Sequence, residues 1–198
     1  MLILASASPR RQDLLRNARI PFSVQPANIS EEHRAGETPE ACVRRLAREK
    51  VQAVAQKMSS GAVILGADTE VVLDLTSGQP LGKPNNEQGA IRMLQMLSGR
   101  SHYVVTGVCL SWKSESEWQS RDAAETTIVQ MNRMSENEIR AYVASGEPMD
   151  KAGAYAIQGA ASRWIPRIEG CYFNVVGLPV PLVYRMLEEH APWMMDHR

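Results

Sequence analysis

The sequence predicts an α/β fold, as one domain over residues 1–198 with a cleft between two lobes. Three observations predict it. Short apolar runs rich in β-branched residues alternate with segments of helical period. Most helical segments open on a capping residue or on proline. No linker, internal repeat or low-complexity tract divides the 198 residues, a length that can bury one core.

Taken in order, Leu2-Ile3-Leu4-Ala5 reads as a buried strand. A serine-rich turn follows, then a helix opening at Pro9 with Ser8 as cap. Pro21 to Pro26 is a short β-like stretch, and Asn28 to Glu37 a polar loop. Thr38-Pro39-Glu40 opens a strong helix with Val43, Leu46, Ala47, Val51 and Val54 on its apolar face, ended by Ser59-Ser60-Gly61. Ala62 to Ala67 is a buried strand, Val71-Val72-Leu73 continues extended, and Asp74 to Pro80 turns. Asn85 or Asn86 opens a helix burying Ala90, Ile91, Leu94 and Leu97, with Gly99 just past its end. His102 to Trp112 is a long β segment, Lys113 to Arg121 a hairpin loop or strand edge, and Thr126 to Met131 the returning strand. Ser135 and Glu138 form a capping-box pattern for a helix that Gly146 stops. Asp150 to Gly159 is rich in small residues and irregular. Arg167 to Glu169 and Cys171 to Val176 read as a hairpin around Gly170. A helix from Pro179 to His190 and a frayed tail close the chain.

Composition narrows the function classes. Lys+Arg and Asp+Glu number 22 each, so no global field draws in nucleic acid or an anionic membrane. Any anion site is local. Cys42, Cys109 and Cys171 are odd in number and widely spaced, the pattern of reduced cytoplasmic thiols and not of a disulfide framework or a zinc site. His33, His102, His190 and His197 show no metal-ligand spacing. The N-terminus lacks the basic leader and apolar core of a signal peptide, and no run approaches a membrane span.

Six places carry chemistry. Ser6, Ser8, Arg10 and Arg11 bring hydroxyls, arginines and unpaired N–H groups to a helix start, which suits a phosphorylated ligand or is an ordinary capped helix with surface arginines. Asp68 in Gly66-Ala67-Asp68-Thr69, at the C-terminal end of an apolar strand, is a metal ligand, a general base or a turn-initiating aspartate. Lys50 falls on the apolar helix face, seven residues after Val43, and either snorkels or points into a cleft. Lys83, held extended before Pro84, presents charge at a fixed place. Glu31-Glu32 is a solvated pair or supplies a carboxylate to a divalent ion. In the Asp150 to Gly159 segment, small residues let backbone approach a ligand and Gln158 can read a base edge, or the segment is a tight junction.

SASPRR, GADT, GKP, LSGR with a following histidine, EPMDKAGAYAIQG and VVGLPV occur in this order and together resemble the Maf family along essentially the whole chain. The resemblance implies a Maf/ITPase-like mixed α/β fold, with an extended sheet and two lobes around a cleft, assembled as a homodimer. It implies cleavage of a nucleoside triphosphate to monophosphate and pyrophosphate with a divalent cation, Mg²⁺ or Mn²⁺. Within the family, AYAIQG resembles the branch acting on dTTP and UTP, where Arg11, Thr69 and Gln158 match the residues that tune base preference. The same likeness makes Asp68 the proton acceptor and aligns Glu31 with the loop glutamate, giving Asp68 and Glu31 as metal ligands and Lys50 and Lys83 as the family lysines. Arg11, Thr69 or backbone in the tight Ala154 to Gly159 segment is expected to fix the Gln158 amide. Three positions depart from the pattern: Ala156 replaces a glycine, Glu70 follows GADT where an apolar residue is usual, and Leu75-Thr76-Ser77 lengthens a turn. Two alternatives stand beside this reading. One is the branch acting on methylated guanine nucleotides, which Gln158 argues against. The other is a nucleotide-binding regulator of cell division, the role that the family's septum-related name implies.

Overall fold

The computed structural model describes residues 1–58, 62–76, 79–114 and 117–194. The elements are β1 (Leu2–Leu4), α1 (Pro9–Asn17), β2 (Phe22–Val24), α2 (Pro39–Ala55), β3 (Val63–Val72), α3 (Glu87–Leu97), β4 (Ser101–Ser114), β5 (Glu117–Gln130), α4 (Glu136–Ala144), β6 (Arg167–Glu169), α5 (Tyr172–Val176) and α6 (Val180–His190). The α/β class is as expected. Ser8, Thr38, Asn86 and Ser135 cap α1, α2, α3 and α4, and Ser135 with Glu138 closes a full capping box. Ser59-Ser60-Gly61, Ser77 and the tail from 195 lie outside the described residues.

One six-stranded sheet runs β2-β1-β3-β4-β5-β6. β1 pairs in parallel with β2 and β3, and the remaining pairs are antiparallel. Side chains alternate across the sheet with period two. Leu2, Leu4, Leu65, Ala67, Val71 and Val108 enter the larger core on one face, with α3, α4 and α6 residues. Ile3, Ala5, Ile64 and Cys109 meet Ala47, Val51 and Val54 of α2 on the other. The alternation along β3 therefore puts Asp68 and Glu70 under α2, and Thr69 on the opposite face.

Two glycines let α2 lie close on the sheet. A Cβ at Gly66 would meet the Ala47 carbonyl oxygen and the Val51 side chain, and one at Gly107 would meet the Val43 backbone. Backbone cannot yield as a side chain can. Gly66→Ala is expected to cost about 3 kcal/mol, the upper end for overpacking, read as a lower urea midpoint at unchanged slope.

The structure corrects or decides expectation in three places. Asp68 lies within β3, not at its end. The decisive end is that of β1, which stops at Leu4 opposite Leu65 while β3 runs on to Val72. Beyond that point the β1 side of β3 opens into the cleft. Second, of the two readings of Lys113 to Arg121, hairpin loop or strand edge, the described residues take the strand: β4 and β5 pair from Ser101↔Gln130 to Ser114↔Glu117. The polar strand is anchored to α2, where Arg44 Nε donates to Asp122 Oδ2 at 2.6 Å and Arg48 at 3.0 Å. Third, Cys171 to Val176 does not hairpin with β6. Gly170, at φ +120°, turns the chain and residues Tyr172–Val176 form α5. Its Asn174 is fully buried and donates from Nδ2 to Val104 O and Thr127 Oγ1 at 2.9 and 3.0 Å. Those bonds to β4 and β5 replace the sheet bonds that a hairpin would have made.

Candidate active site

The cleft opens where β1 ends. It measures about 440 Å³ and is lined by all ten residues singled out in the sequence, from Ser6 to Gln158. Ala5, still pairing with Leu65 through its N–H at 2.8 Å, turns the chain into the serine segment. Ser8 caps α1 by accepting from the Arg11 N–H, and Ser6 Oγ accepts from the Ser8 N–H.

Arg11 is 9 % exposed and forms no ion pair among the described residues. Its Nε donates to the Gly177 carbonyl at 2.8 Å, and its two terminal nitrogens donate to Ser6 Oγ and Thr69 Oγ1, both at 3.1 Å. Burial pulls its pKa down, against the pull of the nearby Asp68 and Glu31 charges. A buried cation held by neutral acceptors leaves its charge for an anion. Arg10, by contrast, pairs with Asp150 at 3.0 Å on the rim.

On the α2 face, Lys50 Nζ lies 2.6 Å from both Asp68 Oδ1 and Glu31 Oε1, and donates to the Ala67 carbonyl at 3.4 Å. Lys50 is 5 % exposed, so it points into the cleft and does not snorkel. Burial works against the Glu31 charge, but Lys50, then Lys83 and Arg11, hold its pKa below the ordinary carboxylate value. Glu32 gives only its backbone oxygen, to Arg45, so Glu31 is the loop carboxylate that reaches the cleft. Lys83 is exposed, lines the cleft and precedes buried Pro84.

The loop bearing Glu31 is tied down by Glu37. The Arg45 guanidinium reaches both Glu37 oxygens, at 2.6 and 2.7 Å, and carries the Glu37 pKa from 4.5 down to about 2. A depressed carboxylate adds stability that is present above its ordinary pKa and is lost as pH falls through the folded value. Unfolding temperature should therefore drop as pH falls from 4.5 toward about 2. Glu37→Gln should make that drop shallower.

Residues 1–190 match the profile of the Maf-like protein family. The chain belongs to that family. This Maf-like protein is 54 % identical over 186 residues to a dTTP/UTP pyrophosphatase of Koribacter versatilis, covering 94 % of this chain and 92 % of the relative. It is 50 % identical over 184 residues to a dTTP/UTP pyrophosphatase of Syntrophomonas wolfei, covering 93 % and 94 %. Its fold matches that of the Staphylococcus aureus Ham1 protein at a TM-score of 0.51 and 16 % identity, covering 95 % of this chain and 98 % of the other.

Several parts of the site escape sequence reasoning. Gly177, at φ +125°, turns its carbonyl onto Arg11, which is what the VVGLPV motif does here. Tyr155 is anchored behind the cleft by His102, whose Nε2 lies 2.8 Å from the phenol oxygen; burial lowers the His102 pKa to about 4. The motif glycine and histidine were the only signals for these. Gln158 lines the cleft but is exposed and hydrogen-bonds to neither Arg11 nor Thr69 among the described residues. Arg11 directs three of its five donors to Ser6, Gly177 and Thr69. His33, Cys42 and Glu70 also converge, contrary to the sequence expectation of no zinc-type cluster.

Proposed function

We propose that this Maf-like protein hydrolyses dTTP and UTP to the monophosphate and pyrophosphate. The observation that carries the reading is Lys50 bridging Asp68 and Glu31 in the same cleft as the unpaired Arg11 cation. The whole-chain likeness to relatives named dTTP/UTP pyrophosphatase supports the substrate.

A divalent ion fits the donors present. Each carboxylate gives one oxygen to Lys50, and Asp68 Oδ2 and Glu31 Oε2 make no hydrogen bond among the described residues. Hard oxygens of this kind suit Mg²⁺ or Mn²⁺. Held by Asp68 and Glu31, such an ion would supply positive charge against the phosphates and lower the pKa of water there. Asp68 accepts the proton of the water that attacks the α-phosphorus. The bond from that phosphorus to the bridging oxygen breaks, and pyrophosphate leaves with the electron pair. Lys50, Lys83, Arg10, Arg11, Ser6 and Ser8 stabilise the charge gathering on it. The family likeness further supports a cytoplasmic homodimer, which light scattering tests as twice 22.0 kDa.

Gln158, with its amide exposed to the cleft, presents two donors and one acceptor to a base edge. Uracil and thymine offer an N–H beside a carbonyl oxygen. Pyrophosphate release from a panel of triphosphates should favour UTP and dTTP at least ~10-fold over CTP and the purines, or about 1.4 kcal/mol. Gln158→Glu should erode the preference mainly in kcat/KM, by setting an acceptor against a carbonyl. Equal kcat/KM for UTP and CTP would remove the base assignment and leave the pyrophosphatase chemistry standing. Faster turnover of methylated guanine nucleotides would favour the other branch, and nucleotide binding without release of pyrophosphate would favour a regulator.

A further inference from the structure

Three side chains outside the proposed chemistry meet on the α2 face of the sheet, beside Lys50. Cys42 comes from α2, Glu70 from β3 and His33 from the loop ahead of α2. His33 Nε2 lies 2.5 Å from Glu70 Oε1 and 3.5 Å from Cys42 Sγ, and one donor atom of each residue lies within 4.8 Å of the others. Glu70 is 6 % exposed, and its Oε2 is buried with no hydrogen-bond partner among the described residues. An unpaired buried carboxylate oxygen is costly.

We propose that His33, Cys42 and Glu70 form a second metal site, for a divalent cation of zinc type, that pins the Glu31 loop to α2 and β3. The donor set is one imidazole nitrogen, one sulfur and one carboxylate. A thiol selects against Mg²⁺ and Ca²⁺ and suits Zn²⁺. Thiolate and carboxylate together cancel two positive charges, the thiol proton passing to solvent on binding. Around tetrahedral zinc such donors stand roughly 3.3–3.8 Å apart, given the usual bond lengths. His33, exposed on its loop, takes up the adjustment. The neighbouring cation, Arg45, donates to Cys42 Sγ at 3.5 Å, and its charge is matched by Glu37 and Glu49.

The placement gives the site a consequence for the cleft. His33 follows Glu31 by two residues, Glu70 follows Asp68 by two on the same strand face, and Cys42 precedes Lys50 by two helical turns. A bound ion thus fastens all three segments that carry the Lys50 bridge. Metal binding itself does not depend on the proposed activity.

The test uses the full chain stripped of metal and loaded with Co²⁺ or Zn²⁺. Co²⁺ should give a near-ultraviolet thiolate charge-transfer band, and Zn²⁺ should bind in competition with a chromophoric chelator. Both signals should persist in Asp68→Asn, which alters the cleft. Cys42→Ser should abolish the band, and Glu70→Gln should weaken zinc at least ~10-fold, since even loss of an outer-shell partner of a metal ligand costs that much. Amide exchange across residues 28–37 should slow on adding Zn²⁺. No thiolate band in the native chain, or one that survives Cys42→Ser, would overturn the site. Should Cys42→Ser fail to fold, unchanged zinc affinity in Glu70→Gln would overturn it instead. Binding without slowed exchange would overturn the loop-fixing role.

Discussion

Asp68→Asn is expected to lower kcat for UTP at least ~100-fold, the scale of a positioned acid–base group, while leaving the fold intact. The substitution keeps the shape of the side chain and removes its charge and basicity. It also removes the anion that Lys50 meets at 2.6 Å. Lys50 retains Glu31 and the Ala67 carbonyl as partners, so the loss of stability should be small. Steady-state pyrophosphate release at saturating Mg²⁺ or Mn²⁺, beside a urea melt, separates the two effects. Near-normal kcat would take Asp68 out of the chemistry.

Lys50→Met should lower both activity and stability. Lys50 and Asp68 have side-chain exposures of 7 and 10 %, so removing the ammonium leaves a nearly buried carboxylate without its cation. Breaking such a pair from one side costs about 3 kcal/mol. A snorkelling lysine would give the opposite result, since methionine packs at least as well on an apolar helix face. Adding Asp68→Asn to Lys50→Met should restore most of the lost stability and none of the activity. A Lys50→Met protein as stable and active as the parent would refute the bridge.

Much of this site is legible before folding. The SPRR segment, with Ser8 as cap and Pro9 at the first helical position, announces a helix start with exposed donors, because capping is a matter of a few adjacent residues. The helical period places Lys50 on the buried face of α2. It cannot say whether that face meets apolar side chains or Asp68, since the answer depends on which strand residue lies beneath. Arg45 shows the same limit. It is buried because the Glu31 loop folds over it and Glu37 grips its guanidinium. The hairpin expected around Gly170 fails for a related reason. The apolar residues around Asn174 in Cys171 to Val176 do not reveal that Asn174 finds partners on β4 and β5.

The sequence by itself determined the α/β class, the capped helices, the family and the ten residues around the cleft. Those are local patterns, or motifs that keep their order along the chain. Only the tertiary structure decided how they meet. β1 stops at Leu4 while β3 continues, so side chains from opposite faces of β3, Asp68 and Thr69, open onto one cleft. The packing of α2 and of the loop ahead of it onto β3 likewise brings His33, Cys42 and Glu70 together. Which residues face each other across a sheet or beneath a helix is set by strand lengths and register. No spacing along the chain records those, because they follow from burying both faces of the sheet at once.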